Sequence, residues 1–112
     1  YGSRVRLTFV ETPLFRQTAR SVLTDAALRA LQGELLENPG AGAVIRGTRG
    51  ARKIRVARER GGKSGGARVV YVYVPERDHV YLLLAYAKGV ADDISEAGRR
   101  ALARLVAEIV AE

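Results

Sequence analysis

Cysteine is absent from the 112-residue sequence, and histidine occurs once. The first absence removes disulfide frameworks, thiolate zinc sites and cysteine nucleophiles together, and fits a reducing compartment. The second leaves too few imidazoles for a histidine-built metal site. No apolar run approaches the roughly 20 residues that span a bilayer, and no signal-peptide pattern opens the sequence. A soluble, cytoplasmic protein with no cofactor, no metal and no membrane partner is therefore expected. Tyr1-Gly2-Ser3 is read as a processed or engineered end without function.

Acidic residues are scarce in one stretch. Residues 46–68 hold nine basic side chains and a single acid, Glu59, whereas the segments on either side are close to balanced; the middle segment alone is therefore +8 and the rest of the chain −1, giving the net charge of +7. Charge concentrated in this way marks a polyanion binder, while evenly spread charge would indicate only solubility. At 47 % hydrophobic residues the chain is too apolar to be disordered, and residues 1–112 make one domain of ordinary size.

Arg4 to Val10 alternates, with Val5, Leu7 and Phe9 on one side, which predicts a half-buried strand. Thr12-Pro13 then caps a short helix carrying Leu14, Phe15, Ala19 and Val22. Thr24-Asp25 opens a longer helix with Leu28, Leu31, Leu35 and Leu36 at helical spacing, which Asn38-Pro39-Gly40 stops. Val44-Ile45 is expected to be a buried anchor. In Lys53-Ile54-Arg55-Val56, Ile54 and Val56 face the core, so Lys53 and Arg55 project together from the opposite side.

Arg60 to Gly66 reads as a flexible connection. Arg68–Val74 and Val80–Ala87 are apolar on both sides and should be central strands, joined by a turn at Pro75-Glu76-Arg77-Asp78. Strict alternation puts Tyr71 and Tyr73 on one side, and Tyr81 and Tyr86 on opposite sides of their strand. The last helix is capped by Ser95 and is expected to bury Ala97, Ala101, Leu102, Leu105, Ile109 and Val110, with Arg99, Arg100, Arg104 and Glu108 mostly outside. The order β-α-α-β-β-β-α implies an α+β fold: a small antiparallel sheet with helices packed on one face, and the other face left for a ligand.

Cleaving RNA without a metal requires a base for the 2′-hydroxyl, cations for the phosphorane and an acid for the leaving oxygen. His79 lies beside the hairpin turn, far from the basic segment, and reads as a solvated turn residue. Lysine and arginine would have to act instead. Lysine among other cations gives up its proton more readily, and arginine stays charged and grips phosphate bidentately. Gly62-Lys63-Ser64 lacks the spacing and leading strand of a P-loop. Asp92-Asp93, before the last helix, suits its dipole better than a metal. Most tyrosines read as core, and Tyr86, which shares a face and strand end with Lys88, is the one expected to stack an unpaired base.

Several segments resemble the RelE-like toxins of bacterial type II toxin–antitoxin systems, and the HigB-type branch in particular. They are Phe9-Val10-Glu11-Thr12-Pro13-Leu14-Phe15, Asn38-Pro39, the run from Ile45 to Val56 (I-R-G-T-R-G-A-R-K-I-R-V), Gly65-Gly66-Ala67-Arg68-Val69-Val70-Tyr71, and Tyr86-Ala87-Lys88. The resemblance spans nearly the whole chain in order. It implies a RelE/ParE-like fold, ribosome-dependent mRNA endoribonuclease activity without a metal, and neutralisation by an antitoxin, of HigA type with a helix-turn-helix domain. By the same resemblance Lys53 takes the place of the family's proton-transferring lysine, with Arg55 beside it; Arg68 takes that of the arginine stabilising the scissile phosphate, and Lys88 that of a basic residue near the end of the next strand. Gly89 stands where an arginine often follows, and no tyrosine occurs after Tyr86. Arg46, Arg49, Arg52, Arg58, Arg60 and Lys63 are expected to grip RNA backbone, with Tyr86 on a base. Two other functions suit the same residues: a same-fold toxin inhibiting a protein target such as DNA gyrase, and a non-catalytic RNA- or ribosome-binding module.

Overall fold

The computed structural model describes residues 6–56, 66–89 and 94–112. The flexible connection expected at 60–66 lies outside them save for Gly66, as do Tyr1-Gly2-Ser3 and Asp92-Asp93. The element order is β1 (Thr8–Glu11), α1 (Pro13–Ala19), α2 (Asp25–Glu37), β2 (Ala43–Val44), β3 (Arg52–Val56), β4 (Ala67–Val74), β5 (His79–Ala87) and α3 (Glu96–Ala111). Each helix begins at the expected cap. The hydroxyls of Thr12, Thr24 and Ser95 accept from the backbone N–H three residues on, each satisfying one donor that the first turn leaves free.

The five strands form one sheet in the order β1-β5-β4-β3-β2. The fold is α+β, and the sheet is mixed: β1 runs parallel to β5, whereas the other neighbours are antiparallel. A parallel pair needs a long connection, and here α1, α2 and the three other strands lie between β1 and β5. Beyond the end of β1, helix α1 satisfies β5's edge. Thr12 Oγ1 donates to Leu82 O at 3.0 Å, and Ala85 N–H donates to Thr18 Oγ1 at 3.0 Å.

Helices cover both faces of the sheet, not one as expected. Phe15 of α1 and Ala27, Leu31 and Leu35 of α2 pack on Ile54, Val56, Val69, Tyr71, Val80 and Leu82. Leu102, Val106 and Ile109 of α3 pack on Val70, Val72, Val74, Tyr81 and Leu83, together with Ile45 and Ala51. Two central strands that are apolar on both sides demand this, because either face left bare would expose a row of valines and leucines. The buried stripe of α3 is thus 102-106-109, while Val110 is 54 % exposed. Ala97 and Ala101 are likewise exposed. Of the expected anchor, Ile45 is buried and Val44 is 57 % exposed.

A bulge in β5 alters which side chains share a face. Val70 pairs with Leu84 and Tyr71 with Leu82, so Leu83 is an extra residue. Leu83 and Leu84 both join the α3 side, and alternation is reset beyond them. Tyr81 and Tyr86 therefore lie on the same face, contrary to strict alternation.

Between β2 and β3 the chain makes a tight loop. Ile45 N–H donates to Ala51 O at 2.8 Å. Inside it, the fully buried Thr48 donates to Ile45 O at 2.6 Å and accepts from Ala51 N–H at 3.1 Å. Gly47 and Gly50 supply positive φ, and Arg49 between them adopts φ 65°, a region an L side chain enters at a cost of about 1–2 kcal/mol.

Candidate nucleic-acid interface

Pairing across three strands assembles the candidate site. Ile54 and Val56 point to the α1/α2 side, so Lys53 and Arg55 point to the α3 side. On β4, Arg68 alternates with Val70, Val72 and Val74 and shares their side. Arg55 pairs with Arg68, and Arg68 with Tyr86, giving a row of two guanidinium groups and a phenol across the sheet. Lys53 stands two residues from Arg55, a step of about 6.6 Å along a strand, which is comparable to the separation of successive phosphates in an extended nucleic-acid strand. Arg55 is exposed, and Lys53, Arg68 and Tyr86 are half-buried. Like charges directly opposite one another are unfavourable in a sheet; a phosphate at the row reverses the sign of that interaction.

The other expected residues divide by position. Lys88 follows β5 at the same end of the sheet, exposed, with its backbone N–H donating to Gly66 O at 3.1 Å. Arg46 and Arg49 are exposed on the tight loop that packs beside α3. Arg52 shares the parity of Ile54 and turns to the α1/α2 side. There its Nη1 donates to Gly42 O at 2.7 Å and Gly40 O at 3.2 Å, so this guanidinium holds the loop before β2. Arg58, Arg60 and Lys63 lie outside the described residues.

His79 pairs with Val74 at the opposite end of β5. Seven residues separate it from Tyr86, about 23 Å of strand. Its Nδ1 is 2.7 Å from Arg77 O and its ring centroid is 5.7 Å from that of Tyr81. Tyr71 is fully buried, donates to Pro39 O at 2.7 Å and accepts from Gly42 N–H at 2.9 Å. Burial holds its phenol above the ordinary value of 10.0, against the lowering effects of the Gly42 bond and the nearby Arg52 guanidinium. Gly42 admits no side chain: a Cβ there would stand 2.9 Å from both Lys53 O and the Tyr71 ring. Tyr71, Arg52 and Gly42 thus fasten the loop that leads into β2 and so fix the strand edge next to Lys53.

Arg99 belongs to this side of the molecule although it was expected outside. It is half-buried on α3, three residues before Leu102 and seven before Val106, so it continues their stripe toward the helix start. That i, i+3, i+7 spacing is visible in the sequence once Leu102 and Val106 are taken as the buried pair. Arg99 lines a cleft of about 220 Å³ with Arg46, Gly47, Glu96 and Arg100. Among the described residues no group of three or more acidic or histidine side chains could hold a metal ion, and no helix is long and apolar enough to cross a membrane.

Chemically, the row can bind a phosphodiester by several donors from one side. Arginine forks suit two of its oxygens at once, and the lysine ammonium adds a compact charge that can also move a proton. The same fold occurs in a known protein. A mutant of the Escherichia coli toxin RelE with two arginines replaced by alanine, solved in the free state, matches with a TM-score of 0.55 at 21 % identity, covering 77 % of this chain and 87 % of that one. The fold is RelE-like. No family model matches the sequence.

Proposed function

We propose that the chain is the toxin of a type II toxin–antitoxin system, a ribosome-dependent mRNA endoribonuclease of the HigB-type branch that arrests translation and growth in the cytoplasm. The cross-strand row Arg55–Arg68–Tyr86, with Lys53 beside it, carries this reading, and the RelE-like fold supports it.

In the proposed reaction the 2′-hydroxyl oxygen of one nucleotide attacks the adjacent phosphorus and the bond to the 5′-oxygen breaks. The proton leaves the 2′-oxygen for a base, and the departing 5′-oxygen gains one. The products are a 2′,3′-cyclic phosphate and a 5′-hydroxyl. Arg68 and Arg55 hold the charge that grows on the phosphorane oxygens, where fixed donors lower the barrier most. Lys53 is the proton-transfer residue, Lys88 supplies a further cation at the same sheet end, and Tyr86 offers a ring to an unpaired base. The partners are mRNA on the ribosome and a HigA-type antitoxin.

Induced expression tests this. Growth should stop, and primer extension on mRNA should reveal discrete in-frame cuts bearing those end groups. Lys53→Ala combined with Arg68→Ala should abolish both effects while the protein stays folded. Arrest without any cut would point instead to a protein target such as DNA gyrase. RNA binding without cleavage at any ribosome concentration would leave a plain binding module.

A further inference from the structure

The cleft between the tight loop and α3 is separate from the row on the strands, and its lining is unusual. Arg46 comes from the loop, Arg99 and Arg100 from the first two turns of α3, and Glu96 is the one acid among them. Glu96 lies 3.9 Å from Arg100 in an exposed pair, which leaves Arg46 and Arg99 without a carboxylate within ion-pair distance among the described residues. The Nε of Arg99 is buried and, among those residues, has no hydrogen-bond partner. A buried donor without an acceptor is costly. Such a group calls for an acceptor from outside the chain, an anion among them.

Both sides of the cleft are held in place. Thr48 fastens the loop from inside through its bonds to Ile45 O and Ala51 N–H, and Ile45 and Ala51 pack against the core that contains Leu102 and Val106. Arg46 is thus presented from a closed ring of backbone and Arg99 from the buried stripe of a helix. The cleft also lies on the α3 side of the sheet, the side of Lys53, Arg55 and Arg68. The chain leads from β2, the edge strand next to β3, straight into Ile45 and Arg46.

We infer that the cleft lined by Arg46, Gly47 and Arg99 is a second phosphate subsite, which takes a backbone phosphate of the RNA strand other than the one held at Arg55 and Arg68. This rests on the proposed action on RNA. It adds α3 to the interface, which the charge distribution along the sequence confines to residues 46–68. RNA suits the cleft better than an acidic protein segment because the cleft shares a face of the sheet with Lys53, Arg55 and Arg68, and because a phosphodiester brings two unshared oxygens to the guanidinium groups of Arg46 and Arg99 that line it.

The test compares the parent chain, Arg46→Ala/Arg99→Gln and Lys53→Ala/Arg68→Ala. Binding of a short fluorescein-labelled single-stranded RNA is followed by anisotropy over a range of salt concentrations, and thermal unfolding confirms that each variant is folded. Loss of one phosphate contact should lower the slope of log affinity against log salt by about 0.7 and weaken binding about ten-fold at low salt. In the ribosome cleavage assay the Arg46→Ala/Arg99→Gln protein should show a raised KM with kcat little changed. A folded variant with the parent's slope and affinity overturns the subsite, as does one that binds RNA normally but loses an acidic partner protein. If the parent binds RNA yet never cuts it, the enzymatic reading fails while the slope still decides the subsite. If the parent binds no RNA, the subsite falls, and the ribosome cleavage assay alone decides the enzymatic reading.

Discussion

The two faces of the sheet are made by the same strands, yet they do different work. On the α1/α2 side, alternate residues of β3, β4 and β5 meet large side chains from two helices, and Leu35, Tyr71 and Leu82 are wholly buried. Even the charged residue on that side, Arg52, is bonded to backbone carbonyls. On the α3 side a single helix covers Val70, Val72 and Val74, and toward the other end of the sheet the strands turn out Lys53, Arg55, Arg68 and Tyr86. Both faces bury a core, but only the α3 side also places charge on rigid strands. A cation on a strand anchored from behind has its direction fixed before any ligand arrives.

That division can be broken from either side. The largest effect is expected in the closed face. Leu35→Ala should cost about 2–5 kcal/mol, because a fully enclosed site cannot collapse around the lost methyl groups. Leu105→Ala, on the half-buried flank of α3, should cost about 1 kcal/mol. Denaturant unfolding measures both, and equal losses would contradict the contrast between the faces. Next is Arg68→Ala, which should lower ribosome-dependent cleavage by about 10²–10³-fold while the protein stays folded. A large loss of stability with cleavage intact would make Arg68 a structural residue.

Thr48→Val should come third, at about 1–3 kcal/mol, since it leaves Ala51 N–H and Ile45 O without their buried partner. Because the loop carries Arg46, RNA affinity should fall along with stability. Unchanged affinity in the destabilised variant would separate the loop from the binding face.

Much of the fold is legible in the sequence, because its signals are local. Thr12-Pro13, Thr24 and Ser95 mark helix starts, and the alternation of Lys53 to Val56 orients its cations without reference to any other strand. What is not legible is long-range. The parallel pairing of β1 with β5 joins residues about 70 positions apart. The bulge at Leu83 lies next to Ala85, whose N–H donates to the sequence-distant Thr18, and without the bulge strict alternation puts Tyr86 on the wrong side. Other features were present as signals but outweighed. Arg52 shares the parity of Ile54 and Val56, yet its place in a run of cations suggests RNA. Strands apolar on both sides require cover on both sides, although the element order suggests helices on one. Arg99 is hidden for a similar reason, since the small Ala97 and Ala101 fit an apolar stripe as readily as the Leu102–Val106 pair does.

The smallest effect concerns pH, and it belongs to the closed face alone. Burial raises the phenol of Tyr71 above its ordinary 10.0, so the unfolded chain gives up this proton at lower pH than the folded one. The group's contribution to stability is therefore complete below pH 10 and is lost as pH rises from there through the folded value. Tyr71→Phe removes that dependence together with the bonds to Pro39 O and Gly42 N–H. At neutral pH the variant should be less stable by about 1–3 kcal/mol, the cost of unpaired buried groups. Above pH 10 the parent should lose this advantage, so that the two unfolding midpoints converge; titration of the remaining tyrosines and lysines is common to both proteins and cancels in the difference. Midpoints that kept a constant separation from pH 8 to 11 would mean that the phenol opens to water before it ionises. The α1/α2 face would then be less tightly closed than the burial of Tyr71 indicates, and the contrast with the α3 side correspondingly weaker.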